Sequence, residues 1–253
     1  MLKAVYAYSE KKKTHNYTYK GIGEKMSLDL TKDARIRVFI GHYGSGKTEF
    51  AVNYAMELSK QTTGVALCDL DIVNPYFRSR EKASMLEENG IHVISGARGH
   101  DINLDLPMVS PNILAPLQDE SKQVILDVGG DSVGARVLAR FAAYLKPGKY
   151  DMFFVLNANR EQTQEVLGVI SHIRNIEDTV GAKVTGLINN THLLRDTDTE
   201  EVLKGQKLAM EVSEATNIPI KYISALEKVT RQLPMDLEGQ LFPIMMYMRE
   251  DWM

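Results

Sequence analysis

Gly41-His42-Tyr43-Gly44-Ser45-Gly46-Lys47-Thr48 decides the fold of this 253-residue chain, because of what stands on either side of it. Before it, Arg37-Val38-Phe39-Ile40 is a β-branched and aromatic run that reads as a buried strand. After it, Phe50, Ala51, Tyr54, Ala55 and Leu58 recur at 3.6-residue spacing, the stripe of an amphipathic helix. A strand, a turn of pattern G-x-x-x-x-G-K-[ST] and a helix together make an anion cradle, the Walker A arrangement. Its glycines let backbone N–H groups turn inward, and the helix adds its positive end beneath them. Lys47 supplies a full charge for phosphate and is a candidate catalytic residue; the Thr48 hydroxyl is a candidate Mg²⁺ ligand. The stretch Gly41, His42, Tyr43, Gly44, Ser45, Gly46, Lys47 and Thr48, with the adjoining Glu49, is the candidate phosphate site.

Working outward, short apolar runs alternate with segments of helical period. Strands are expected at Ile36–Ile40, Val65–Leu70, Ile91–Ser95, Gln123–Val128, Met152–Asn157, Val184–Ile188 and Ile218–Ile223. Several are apolar throughout, as in a parallel sheet covered on both faces. Val166, Val169, Ile170, Ile173 and Ile176 mark a further helix, and Thr197-Asp198-Thr199-Glu200 reads as a capping box. The expected fold is a doubly wound α/β domain over residues 34–253, with a mostly parallel sheet and helices on both faces. Residues 1–33 read as a polar N-terminal extension. The apolar run Leu241–Met248 has acidic flanks, so it is expected to pack against the body rather than seek a membrane.

Three acids stand where such a sheet would bring them to the loop. Asp69 and Asp71 end the run Leu67-Cys68-Asp69-Leu70-Asp71, and Asp127 ends Val124-Ile125-Leu126-Asp127-Val128-Gly129-Gly130. Open α/β sheets bind ligands beyond the carboxyl ends of their strands. Asp127 reads as the acid that holds Mg²⁺, and Gly129 as a backbone approach to the terminal phosphate.

Composition narrows the classes. A net charge of −3 gives no general nucleic-acid affinity. One cysteine, Cys68, fits a reducing compartment and cannot by itself hold a zinc or iron–sulfur centre. The polar start lacks a signal peptide's apolar core, and no apolar run is long enough to span a bilayer, so a cytoplasmic protein is expected.

Taken together, the loop Gly41–Thr48, the Asp69-Leu70-Asp71 pair, the Asp127-Val128-Gly129-Gly130 turn and the late run Gly186-Leu187-Ile188-Asn189-Asn190 resemble the MinD/ParA class of P-loop ATPases. The resemblance runs from about Ile36 to Leu226. It implies an Mg-ATP-binding hydrolase in which Asp71 orients the attacking water and contributes to the metal site. It also implies that Asn190 reads the adenine, and that an ATP-dependent homodimer controls a protein client. Many members of that class carry a second lysine just after the first loop glycine, and this chain has His42 there. Arg78 and Arg80 either replace that charge or are solvated on the next helix. Arg98, His100 and Asp101 follow a strand, and His92 and His172 lack metal-like spacing. The alternatives are an ATP-dependent carboxylate-activating enzyme, a GTPase without a clear N-K-x-D motif, a non-hydrolysing module, and a cluster carrier sharing Cys68 across a dimer.

Overall fold

The computed structural model describes residues 28–71, 82–95, 111–130 and 132–249. Its strands are β1 (Ile36–Ile40), β2 (Val65–Leu70), β3 (His92–Ser95), β4 (Gln123–Val128), β5 (Tyr150–Leu156), β6 (Gly186–Asn189), β7 (Ile220–Leu226) and β8 (Gln240–Ile244). They form one sheet in the order β3-β2-β4-β1-β5-β6-β7-β8, and every pairing is parallel. The helices are α1 (Lys47–Ser59), α2 (Ala83–Glu88), α3 (Leu114–Gln118), α4 (Ser132–Ala139), α5 (Val166–Val180), α6 (Thr199–Thr216) and α7 (Glu227–Thr230).

Period-2 alternation divides the buried side chains between two cores. Val38, Ile40, Cys68, Leu126, Met152 and Phe154 face one layer with α4, α5 and α6. Phe39, Leu67, Ile125, Phe153 and Tyr222 face the other, under α1. There the rings of Phe50 and Tyr54 on α1 meet Phe39 at 5.2 and 5.1 Å. Phe242 of β8 lies 4.7 Å from Phe50 and stacks on Tyr54 at 6.0 Å. A fully buried phenylalanine is worth about 1.5–3 kcal/mol, enough to dock the C-terminal strand.

The apolar run 241–248 therefore packs on the body, and its first half does so as an eighth strand that the sequence pattern did not indicate. β5 and β7 begin two residues away from the expected starts. The cap of α6 is Asp198, whose side chain accepts the Glu201 N–H, rather than Thr197. Residues 28–33, placed in the polar extension by composition, are integral to the domain. Leu30 is fully buried. Asp33 accepts the hydroxyls of Tyr54 and Tyr222 and pairs with Lys221. Residues 1–27 lie outside the described residues. Among the described residues, no helix is long and apolar enough to cross a membrane.

Candidate functional site

The loop leaves β1 at Ile40 and enters α1 at Lys47. Gly46 caps the helix at φ 84°, in the left-handed region, and as a glycine offers no side-chain cap to its first turn. First-turn N–H groups and the helix dipole make an anion site. Three distant residues fix the loop from outside. Asn190 donates Nδ2 to the Ser45 carbonyl at 2.7 Å, while its Oδ1 accepts the Ser224 hydroxyl at 2.6 Å. Arg160 donates Nε to the Gly44 carbonyl at 2.8 Å. Gly130 lies so close that an added methyl would sit 2.5 Å from Tyr43 N and 2.8 Å from Gly41 O. Lys47 folds back onto the loop, donating Nζ to the His42 carbonyl at 3.1 Å.

The acids come from β2 and β4. Asp69 stands opposite Asp127 in the parallel register, on the sheet face that α1 covers. Asp71 follows β2; its N–H donates to Asp69 Oδ1 at 3.0 Å, and its carboxylate lies beside Gly129. Burial pushes the Asp127 carboxyl up to about 8, and the Asp69 charge adds to the rise. The Thr48 hydroxyl and the Lys47 ammonium oppose it. Neither Asp127 oxygen makes a hydrogen bond of ordinary length and angle. A buried carboxylate left in that condition fits a cation, since a divalent ion would restore its ionised form. Among the described residues, no group of three His, Cys, Asp or Glu could hold a metal alone. That suits Mg²⁺, which takes one or two carboxylates and completes its shell with phosphate oxygens and water.

A cavity of about 300 Å³ runs from the loop toward β7 and β8. Its loop end carries Lys47, Thr48, Asp71 and Arg160; its far end carries Leu226, Ile244, Met246 and Met248. Glu49 lines this cavity but points its carboxylate at the C-terminal segment. Its Oε1 accepts the Tyr247 N–H at 2.6 Å, and its Oε2 accepts the Met248 N–H at 3.2 Å. Glu49 thus binds backbone where the sequence reading had it binding cofactor. Asn190 sits between the two ends with both amide groups engaged by protein, which makes it first a support for the loop.

His42 holds its Nδ1 2.9 Å from the Tyr43 carbonyl and lies edge-on to His172 at 5.7 Å. Burial, then the His42 charge, pushes His172 down to about 4. Tyr43 is 60% exposed and leaves the loop for solvent. Cys68 is buried and its thiol is raised to about 12 by burial, which argues against the cluster-carrier alternative. Arg78, Arg80, Arg98, His100 and Asp101 lie outside the described residues.

The structure brings together the loop, Asp69, Asp71, Asp127, Gly129 and Asn190. It adds Arg160, Ser224 and the segment after β8, which no local pattern indicated.

No family model matches the chain, and no curated protein matches it. Among solved structures, the signal recognition particle receptor FtsY from Elizabethkingia anophelis is similar over 81% of this chain and 63% of its own, at 18% identity and TM-score 0.50. FtsY from Mycoplasma mycoides is similar over 79% of this chain and 62% of its own, at 16% identity and TM-score 0.50. The cell division protein FtsY from Thermotoga maritima covers 83% of this chain and 68% of its own, at 19% identity and TM-score 0.49. The chain therefore spans 62–68% of the length of these receptors. An all-parallel eight-stranded sheet with a phosphate loop between its central strand and the next helix gives this chain the α/β fold of the P-loop nucleoside triphosphatases.

Proposed function

We propose that the chain binds Mg-ATP at Gly41–Thr48 and hydrolyses it, in the manner of the MinD/ParA class. The observation that carries this reading is the loop itself. Its helix has an uncapped N-terminus, Lys47 is poised on it, and a buried acid pair faces it from β2 and β4. Lys47 and the loop N–H groups would hold the β- and γ-phosphates. Thr48 and Asp127, with Asp71 nearby, would hold Mg²⁺, whose charge offsets that of the phosphates. Asp71, at the mouth of the cavity beside Gly129, would accept a hydrogen bond from the attacking water and orient it. Gly129 lets the β4 turn approach the terminal phosphate. Asn190, wedged under the loop, would couple the base end of the cavity to the phosphate end.

The nucleotide state would then control an ATP-dependent homodimer and a protein client in the cytoplasm. Tyr43, exposed on the loop, is available to such a partner.

Thermal melting tests the reading. Ligand at a hundredfold over its dissociation constant adds about 2.7 kcal/mol, a rise of roughly 5–10 °C for a domain of this size. Mg-ATP is expected to produce it and Lys47→Ala to abolish it. Identical melting with and without Mg-ATP would sink the proposal, and a larger rise with Mg-GTP would reassign the base.

A further inference from the structure

Residues 245–249, directly after β8, form neither helix nor strand, yet their backbone is held by two side chains of α1. Asn53 grips Met245 from both sides: Oδ1 accepts the Met245 N–H at 2.7 Å and Nδ2 donates to the Met245 carbonyl at 2.8 Å. One turn earlier, Glu49 takes the N–H groups of Tyr247 and Met248. These contacts span 192 to 199 residues of sequence. Glu49 is the residue directly after Thr48, so the segment is anchored to the first turn of the phosphate-binding helix.

What the anchoring creates is the far end of the cavity. Ile244, Met246 and Met248 project into it opposite Ala225 and Leu226. That surface is apolar and rich in thioethers, which adapt to irregular shapes and make favourable contacts with aromatic rings. Flat apolar walls are how small-molecule pockets gain most of their contact area.

We propose that Glu49 is a positioning residue for the nucleobase: by fixing residues 245–248 on α1 it builds the apolar wall against which the base lies. This rests on the reading of the cavity as a nucleotide site. It assigns the phosphate grip and the base grip to different residues, with Glu49 acting on the second although it adjoins the first.

The test compares Mg-ATP with inorganic tripolyphosphate plus Mg²⁺, which has the same phosphate chain and no base, by isothermal titration. Glu49→Ala is expected to raise the Kd for ATP at least tenfold and to change that for tripolyphosphate less than twofold. Glu49→Gln keeps a side-chain oxygen for the Tyr247 N–H and is expected to restore most of the ATP affinity. Should Glu49→Ala fold poorly, Met246→Ala probes the wall without touching either clamp and is expected to weaken ATP several-fold and tripolyphosphate not at all. Equal weakening of both ligands would overturn the proposal by making Glu49 part of the phosphate site. Unchanged ATP binding in both alanine variants would overturn it by showing that the wall does not grip the base. Wild-type protein that binds neither ligand would overturn the nucleotide reading itself, a result distinct from the other two.

Discussion

Arg160 and Gly44 are 116 residues apart in sequence, yet the Arg160 Nε–H meets the Gly44 carbonyl at 2.8 Å and the guanidinium lies flat against that glycine. The contact places a permanent positive charge on the rim of the phosphate loop, from within the same chain. A hydrogen bond from a charged donor is worth about 1.5–3 kcal/mol. Arg160→Ala is therefore expected to lower the melting temperature of the free protein by several degrees and, with the loop less firmly held and its rim charge gone, to weaken Mg-ATP binding by about tenfold or more, read by titration calorimetry. A loss below twofold would remove Arg160 from the site.

Asp71→Asn is nearly isosteric and removes the charge that would orient water. Turnover is expected to fall at least about tenfold, a barrier change near 1.4 kcal/mol, while the Kd for ATP stays within about threefold. Single-turnover hydrolysis separates the two effects. Undiminished turnover would take Asp71 off the catalytic list.

Gly46 cannot carry a side chain. Its φ of 84° disfavours L residues, and a methyl there would sit 2.4 Å from Asn190 Nδ2. Gly46→Ala is expected to abolish nucleotide binding and to lower the melting temperature by several degrees. In Gly46→Ala/Asn190→Ala the contact is relieved but the backbone strain is not, so stability is expected to recover only in part. Full recovery would mean that the contact alone had mattered.

Acidification reports on two half-buried histidines. Burial, then the His42 charge, lowers His172 to about 4, and burial, then the Arg160 charge, lowers His192 to about 4. The unfolded chain titrates both near 6.5. As pH falls through that window the unfolded chain takes up protons that the folded chain does not, so stability present above pH 6.5 is lost toward pH 4. Across the whole window, from 6.5 to about 4, the loss is on the order of 3 kcal/mol per histidine, at about 1.4 kcal/mol per pH unit. Melting between pH 7 and 4.5 is expected to fall less steeply in His172→Gln than in wild type; identical slopes would refute the assignment.

How far the sequence could be read depended on how local the cause was. β1, β2 and β4 matched their expected bounds because each is a mainly apolar, β-branched run with turn residues beyond it. β8 escaped because Pro243 sits inside it, and proline lacks the N–H that a central strand needs. The strand tolerates it at the sheet edge, where it pairs only with β7, opposite Ala225. The cap of α6 moved from Thr197 to Asp198 because either side chain suits the role and only backbone geometry decides between them. In the site, Lys47, Thr48, Asp71 and Asp127 were legible because a strand end or a loop spacing predicts their direction. Arg160, and the clamp of Glu49 on Met248, were not: nothing near either residue encodes a partner more than a hundred positions away.

The strand order bears on how such a protein can diversify. β1 is a seam: β2, β3 and β4 lie on one side of it, and β5 to β8 follow in chain order on the other. Asp69, Asp71 and Asp127 come from the first half of the gene, and Asn190, Ser224, Met246 and Met248 from the second. A crossover in the connection between α4 and β5 would thus exchange the base wall while leaving the acids intact. Glu49, Asn53, Arg160 and Asn190 reach across that seam, so they are among the residues whose partners a chimaera would have to keep matched.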